Sequence, residues 1–269
     1  MSEDRPEPLP VRPAATVMLV REEADGTEVF LMRRHRAMEF VGGVVVFPGG
    51  GVDDRDRNAD IDWHGPPPSW WAQRLGVDED LALALVCAAA RETFEESGVL
   101  FAGAADDPDL LVDDASVYRK ARRALADNSL AFGDFLRSEK LMLRADLLRP
   151  WANWVTPEEE RTRRYDTYFF VGALPPGQLA DGENTESDRV AWAKPEAALT
   201  EFAAQRIFLL PPTWTQLDSL AGGRTVAEIL AVERQIVPVQ PHLSEANGNW
   251  EIEFFDSDRY NAARAGRAP

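Results

Sequence analysis

Residues 86–99 read VCAAARETFEESGV, and the rest of the chain is organised around them. In a helix that turns about 100° per residue, with Glu92 at zero, Glu95 falls at about −60° and Glu96 at about +40°. Three carboxylates therefore share one narrow arc. The opposite side carries an apolar stripe typical of a helix that packs on a core: Leu83, Val86, Cys87, Ala90 and Phe94. Gly98 stands where such a helix would end.

The carboxylate arc, defined as Glu92, Glu95 and Glu96, admits two interpretations. The first is a solvated helix face, the common setting for a group of glutamates. Like charges at helical spacing repel by about 0.2–0.5 kcal/mol per pair, and a surface helix usually offsets this with interleaved bases. Here only Arg91 lies one turn from Glu95, and no base follows the other two glutamates. The second interpretation is therefore favoured, a site for a hard divalent cation such as Mg²⁺ or Mn²⁺.

Residues 91–99 (RETFEESGV) resemble the helical half of the Nudix box, R-E-U-x-E-E-x-G-U, in which U is aliphatic. Residues 47–50 (FPGG) resemble the loop half of the same box. The two halves lie much further apart than the box places them, because 41 positions separate Gly50 from Arg91. The first Glu of the box has no direct counterpart, and the matching position holds Asp56.

The segment that splits the box, residues 52–80, leaves two alternatives open. It is a surface excursion anchored by Pro and Trp side chains at 66–71, or one of Asp53, Asp54 and Asp56 replaces the missing glutamate. If it is only an excursion, replacing all three aspartates by Asn should cost less than about tenfold in rate, which is about 1.4 kcal/mol of barrier.

A box split in this way resembles the Nudix branch related to peroxisomal coenzyme A diphosphatases, as do residues 31–51, 163–170 and 210–217. The resemblance implies an α/β fold, a Nudix-type α/β/α sandwich with a mixed sheet. It also implies metal-dependent hydrolysis of a diphosphate linkage in a nucleoside diphosphate joined to another group, with coenzyme A or acyl-coenzyme A expected. A nucleotide-sugar or dinucleotide hydrolase is the alternative among enzymes. A non-catalytic nucleotide-binding regulatory module of the same fold is the alternative from another class.

The resemblance assigns roles at the box. The carboxylate arc would hold one or more Mg²⁺ or Mn²⁺ ions, and the carbonyl oxygen of Gly49 could add a ligand. Arg91 would orient Glu95 and its neighbours through charge-assisted hydrogen bonds. Gly49 and Gly50 are expected in a tight turn that lets the backbone approach the substrate, because glycine has no Cβ.

A basic cluster, Arg33, Arg34, His35 and Arg36, precedes the glycine loop. It is either an exposed loop or a clamp on substrate phosphates, since guanidinium groups pair well with phosphate. The clamp interpretation assigns Arg33 and Arg34 to the substrate phosphate remote from the scissile bond.

Two residues further along the chain are also predicted to lie at the site. Tyr168 lies in a predicted strand at 162–173 with large side chains on both faces, which indicates a core on one face and a ligand cleft on the other. Glu186 precedes a predicted strand at 189–193 and is the candidate for a further metal ligand or general base. Glu183 is a weaker candidate, and a solvated loop is the alternative for both.

The whole-chain composition bounds the function. A net charge of −17 over 269 residues argues against binding nucleic acid through a basic surface. No apolar run or leader segment indicates a membrane, and the single cysteine, Cys87, falls on the apolar helix face. These features predict a cytoplasmic protein whose partner is a small nucleoside diphosphate derivative. The sequence leaves open whether it forms a homodimer.

The predicted organisation is a flexible arm at 1–13 followed by one Nudix hydrolase domain at 14–269. A helical addition is expected at about 106–143 and C-terminal helices at about 195–235. The patterns predict strands at 14–21, 27–33, 43–47, 147–155, 162–173, 189–193 and 250–255, an acidic loop at 106–114, and helices at 113–126, 132–143, 195–204, 212–221 and 225–235.

Overall fold

The structure is a computed structural model that describes residues 7–35, 42–57, 60–246 and 249–266. Its strands are β1 (Val11–Glu23), β2 (Gly26–Arg34), β3 (Val45–Val46), β4 (Gly49–Gly51), β5 (Trp63–His64), β6 (Ala102–Ala104), β7 (Asp107–Leu111), β8 (Leu141–Arg144), β9 (Leu148–Val155), β10 (Arg164–Ala173), β11 (Ser187–Ala193), β12 (Pro238–Val239), β13 (His242–Ala246) and β14 (Asn249–Glu253). Its α-helices are α1 (Asp54–Arg57), α2 (Pro68–Leu75), α3 (Glu79–Ser97), α4 (Arg119–Ala126), α5 (Phe132–Ser138), α6 (Pro195–Ala203), α7 (Pro211–Leu220), α8 (Val226–Leu230) and α9 (Ser257–Arg264).

A mixed sheet forms the centre of the fold. Its strands run in the order β11-β2-β1-β10-β9-β12, with β3 beside β2 and β4 beside β1. Strand β1 is parallel to β10 and antiparallel to β2 and β4. A second sheet has the order β5-β8-β6-β7, and β13 pairs with β14.

Helices cover both faces of the central sheet, and the alternation along β1 separates the two cores. Val17 and Leu19 belong to the hydrophobic cluster that contains the apolar face of α3. Met18 and Val20 belong to the cluster that contains side chains of α6 and α7. Successive side chains of a strand point to opposite faces, so β1 is buried on both sides. The predicted α/β/α sandwich with a mixed sheet is confirmed.

Helix α3 packs closely on the sheet. It begins after Asp78, whose side chain accepts a hydrogen bond of 2.7 Å from the Leu81 amide. It ends at Gly98, whose φ of 75° places it in the left-handed region that glycine adopts readily. The run of small residues at 87–90 is fully buried, which allows the backbone of α3 to lie close to the strands. The predicted end of the helix is confirmed.

The addition at 106–143 is less helical than the sequence predicts. The expected loop at 106–114 contains β7, and the helix expected at 132–143 ends at Ser138. Lys140 has a positive φ of 55°, which a helix cannot contain. The apolar residues that follow form β8, buried in the second sheet. A short apolar run is equally typical of a buried strand and of a buried turn of helix. The sequence pattern could therefore not distinguish β8 from the end of a longer helix.

Both ends of the chain also differ from expectation. Strand β1 begins at Val11 and so includes the last residues of the predicted arm. The helix expected at 225–235 is confined to Val226–Leu230, and α9 was not predicted. Helices α6 and α7 and strand β14 match their predictions. The single-domain organisation of 14–269 stays a prediction. Among the described residues, none of the helices is both long and apolar enough to cross a membrane.

The glycine-rich segment is a strand rather than a tight turn. Gly49, Gly50 and Gly51 pair antiparallel with β1, and Gly49 lies opposite Thr16. All three lie outside the positive-φ region. Space is the reason for glycine at the first two positions: a Cβ on Gly49 would lie 2.5 Å from the Ala15 carbonyl oxygen, closer than any real Cβ contact.

We expect Gly49→Ala to lower the free energy of unfolding by about 1–3 kcal/mol, the usual cost of forcing an extra methyl into a packed site. Gly51→Ala is the matched control, because a Cβ on Gly51 would meet no atom within 4 Å. Its effect should stay within about 0.5 kcal/mol. Chemical denaturation of both variants measures the difference, and equal losses would contradict the close-approach argument.

Candidate active site

The carboxylate arc lines one wall of a cavity of about 720 Å³. Only 14% of the Glu92 side-chain surface and 13% of the Glu95 side-chain surface are exposed. Glu96 is buried as well, with 6% of its surface exposed. The helix therefore presents these largely buried carboxylates to a cavity, and the solvated-face interpretation does not describe them.

Arg91 holds the first two carboxylates in place. Its Nη1 donates to Glu92 Oε1 at 2.8 Å and to Glu95 Oε1 at 3.2 Å. Its Nη2 also donates to the carbonyl oxygen of Gly51 at 3.0 Å. Arg91 thus connects α3 to the glycine strand β4 while it fixes the orientation of two arc residues.

Asp56 anchors Arg91 from the other side. Arg91 Nε donates to Asp56 Oδ1 and Nη2 donates to Asp56 Oδ2, both at 2.9 Å. Asp56 is only 1% exposed, whereas Asp54 is exposed and Asp53 forms an ion pair with Arg55. The start of the 52–80 segment is therefore part of the site, and the excursion interpretation is wrong for Asp56.

The glycine strand contacts the arc directly. The amide of Gly49 donates to Glu96 Oε2 at 2.7 Å. Gly49 thus contacts the arc through its nitrogen, while its carbonyl oxygen stays a predicted metal ligand. A Cβ on Gly50 would lie 2.5 Å from Glu92 Oε1. Any larger residue at Gly50 would displace the first carboxylate of the arc.

Burial and crowding raise the pKa values of all three arc residues. Burial raises the pKa of Glu92 to about 7; Arg91 opposes this shift and the Glu95 charge adds to it. Burial, followed by the charges of Glu92 and Glu186, holds the pKa of Glu96 well above its usual value. The Glu95 pKa is raised by burial against the attraction of Arg91. Ionising all three carboxylates in the folded protein is thus unfavourable, and a bound cation would reduce their mutual repulsion.

Without a divalent cation, Glu92 should make the protein less stable as the pH rises. Folding raises its pKa from 4.5 to about 7, so between these values the folded state binds more protons than the unfolded chain. The free energy of unfolding therefore falls across this window. Thermal unfolding in EDTA from pH 5 to 8 should show a smaller decline for Glu92→Gln than for the wild type. Parallel curves would contradict the shifted pKa.

The donor chemistry of the site fits Mg²⁺ or Mn²⁺, because hard cations take carboxylate oxygens. One oxygen of each arc carboxylate makes a hydrogen bond to Arg91 or Gly49, which leaves the second oxygen for a ligand. Within the described ranges, no group of three or more His, Cys, Asp or Glu side chains has already converged to hold a metal ion. The arc carboxylates are nevertheless the residues that would hold such an ion.

Glu186 and Arg34 lie where the large cavity meets a smaller one. Glu186 borders both cavities, as does Glu96. Arg34 Nη2 is 3.5 Å from Glu186 Oε2. The smaller cavity, about 160 Å³, has a largely apolar wall that includes Met32, Phe47, Phe169 and Leu210. The structure thus brings Glu186 and Arg34 to the arc.

Two predicted substrate contacts lie elsewhere. Arg33 points to the other face of β2, where its Nε is 2.6 Å from Asp188 Oδ1, because neighbouring strand residues alternate in direction. Tyr168 is 5% exposed and packs in the core with the apolar face of α3. Its neighbours Thr167 and Phe169 line the small cavity instead. Neither side chain borders the two cavities at the arc, so their contact with substrate stays a prediction that this geometry does not support, and Arg36 lies outside the described residues.

The arginines of α4 also line the large cavity, although the sequence patterns did not predict them as site residues. Arg119, Arg122 and Arg123 border the cavity together with Glu183. Arg122 Nε donates to the main-chain oxygen of Glu95 at 3.0 Å. The signal was present as the run RKARR at 119–123, which stands out in a chain with a large negative charge.

A mixed sheet between helical layers, with an R-E-x-x-E-E helix packed on a glycine strand, defines a Nudix domain. The profile of the NUDT19 Nudix domain matches residues 68–220. The chain belongs to this family. A crystal structure of a NUDIX hydrolase from Alicyclobacillus acidocaldarius is similar, with a TM-score of 0.62 and 25% identity over 84% of this chain and 98% of that one.

Two relatives carry the name acyl-coenzyme A diphosphatase NUDT19. The Xenopus laevis protein is 26% identical over 234 residues, which is 75% of this chain and 62% of the relative. The Homo sapiens protein is 29% identical over 247 residues, 77% of this chain and 64% of the relative. The chain thus aligns with less than two thirds of each relative's length.

Proposed function

We propose that the protein hydrolyses the diphosphate linkage of coenzyme A or acyl-coenzyme A with the help of a divalent cation. The observation that carries the proposal is the carboxylate arc, three crowded and buried acids on the wall of a substrate-sized cavity. The names of the relatives support the choice of substrate. Water would add across the diphosphate to give adenosine 3′,5′-bisphosphate and a phosphopantetheine product.

In this proposal the arc residues hold the cation, either Mg²⁺ or Mn²⁺. When bound, such an ion supplies charge neutralisation at the diphosphate and acidifies a water molecule. Arg91 keeps Glu92 and Glu95 at fixed orientations through its hydrogen bonds at 2.8 and 3.2 Å. The amide of Gly49 fixes Glu96, so all three side chains are positioned before substrate arrives.

Glu186 and Arg34 act on the substrate side of the arc. Glu186 is half exposed and borders both cavities, which suits a residue that accepts a proton from the attacking water or adds a ligand. Arg34 lies beside Glu186 and Glu96, and its charge opposes the rise in the Glu96 pKa. A diphosphate bound at the arc would therefore meet the Arg34 guanidinium.

A substrate panel tests the proposal. Coenzyme A, acetyl-coenzyme A, NADH, ADP-ribose and diadenosine polyphosphates are each assayed with Mg²⁺ and with Mn²⁺. The highest kcat/KM should be obtained with coenzyme A or its acetyl thioester, and EDTA should abolish turnover. A preference for NADH or diadenosine polyphosphates would favour the dinucleotide alternative. Binding with no turnover of any compound would favour a regulatory module. A cytoplasmic location and a homodimer stay predictions from the sequence.

A further inference from the structure

The exposed arginines of α4 line the same large cavity as the carboxylate arc. Arg119, Arg123 and Ala126 border the cavity, and their spacing of four and then three residues places them on one face of the helix. Lys120 is also exposed but does not border the cavity. One part of the cavity wall, the arc, is therefore acidic, and another part, formed by the α4 arginines, is basic.

Arg122 fixes this basic wall relative to the arc. Its side chain is only 7% exposed, and its Nη1 donates to both carboxylate oxygens of Asp181 at 2.8 Å. Together with the bond from its Nε to the Glu95 carbonyl, this ties α4 to the end of α3. A Cβ on Gly98 would lie 2.7 Å from Arg122 Nη1, so the glycine that ends α3 also makes room for the tie.

Arg123 and Arg119 are available to a ligand. The Arg123 guanidinium makes no hydrogen bond or ion pair with the described part of the chain, although Asp127 also borders the cavity. The Asp127 carboxylate accepts a hydrogen bond from the Ser129 amide. Arg119 Nε lies 3.4 Å from Glu183 Oε2, and both side chains are about half exposed. Exposed pairs of this kind are worth little, so a phosphate could displace Glu183.

We propose that Arg119 and Arg123 bind the phosphate monoester of the substrate that is remote from the scissile diphosphate. The inference rests on the proposed function and names a part of the same site. A phosphate monoester carries nearly two negative charges and is repelled by a protein with a net charge of −17. Arg119 and Arg123 line the cavity from α4, a different helix from the one that carries the arc, and can offer this phosphate a positive charge. Arg34 is too close to Glu96 and Glu186 for this role and would serve the diphosphate.

Binding of product analogues tests the inference without turnover. Isothermal titration calorimetry with Mg²⁺ present compares adenosine 3′,5′-bisphosphate with AMP, which lacks the 3′-phosphate. The wild type should bind the bisphosphate more tightly. Arg123→Ala should weaken bisphosphate binding by about tenfold or more, the worth of a hydrogen bond to a charged group, and change AMP binding less than about twofold. Arg119→Ala should act in the same direction.

Matched controls make the comparison specific. Lys120→Ala removes the same charge from an exposed position on the same helix and should leave both affinities unchanged. Arg34→Ala should weaken both ligands alike. The inference would be overturned if the wild type bound both ligands equally well, or if Arg123→Ala lost the same affinity for both. It would also be overturned if Arg34→Ala, instead of Arg123→Ala, abolished the preference for the bisphosphate.

Kinetics separate this inference from the proposed function. In Arg123→Ala the kcat/KM for coenzyme A should fall about tenfold or more, with little change for dephospho-coenzyme A, which shares the diphosphate but lacks the 3′-phosphate. If the wild type hydrolyses neither compound, the proposed function fails, while the calorimetric comparison still decides the role of the arginines.

Discussion

Replacing Glu96 by Gln should lower kcat by about a thousandfold, or about 4 kcal/mol of activation free energy, and leave the fold intact. Gln has the same shape, and its oxygen can still accept the Gly49 amide hydrogen bond that Glu96 accepts at 2.7 Å. What the change removes is a buried charge at the proposed cation site. Glu95→Gln should behave in the same way.

The stability of the same variants gives an independent readout. Burial and the charges of Glu92 and Glu186 disfavour ionised Glu96 and raise its pKa. Without a cation, Glu96→Gln should therefore be at least as stable as the wild type. With Mg²⁺ or Mn²⁺ the wild type should gain thermal stability and the variant should gain less, because only a ligand that binds the folded state raises the melting temperature.

Glu79→Gln is the matched control, since Glu79 is exposed in the first turn of the same helix. Its turnover should equal that of the wild type, with a stability loss below about 1 kcal/mol from the lost charge near the helix N-terminus. Near-normal turnover of Glu96→Gln with every diphosphate in the panel would rule out a cation site at the arc.

The sequence was sufficient to place the three arc carboxylates together because one helix carries them. The 3.6-residue period places Glu92, Glu95 and Glu96 opposite the apolar stripe, and Gly98 ends the helix in the left-handed conformation. These features depend on local geometry. The enclosure of the arc depends on which distant segments pack over it, and that information is not local.

The site features that the sequence misplaced or missed also depend on contacts between distant segments. Arg33 and Arg34 are neighbours in sequence but lie on opposite faces of β2. Only the Arg34 face borders the smaller cavity, and this depends on how β2 pairs with β11, a strand distant in sequence. The α4 arginines carried a visible charge signal, but only the contact of Arg122 with the Glu95 carbonyl brings them to the arc. Gly49 and Gly50 were expected in a tight turn that approaches the substrate, whereas they form a strand that lies close to β1 and to Glu92.

The split of the Nudix box does not separate Asp56 from Arg91. Forty-one positions separate Gly50 from Arg91, yet the Asp56 carboxylate pairs with Arg91 at 2.9 Å through two hydrogen bonds. Helix α1 supplies this carboxylate immediately after the glycine strand, before the rest of the inserted segment. The insertion therefore lengthens the chain between the two halves without separating the groups that must touch.

We expect Asp56→Ala to lower the free energy of unfolding by about 3–5 kcal/mol, the cost of removing one partner from a buried ion pair. Arg91 would keep its charge in a buried position with two of its five hydrogen bonds lost. Turnover should fall by more than about tenfold, because Arg91 also orients Glu92 and Glu95.

Asp54→Ala is the control, since Asp54 is exposed on the same short helix. Urea denaturation and kcat/KM for coenzyme A measure both effects. If Asp56→Ala matches Asp54→Ala in stability and rate, the ion pair does not support the arc.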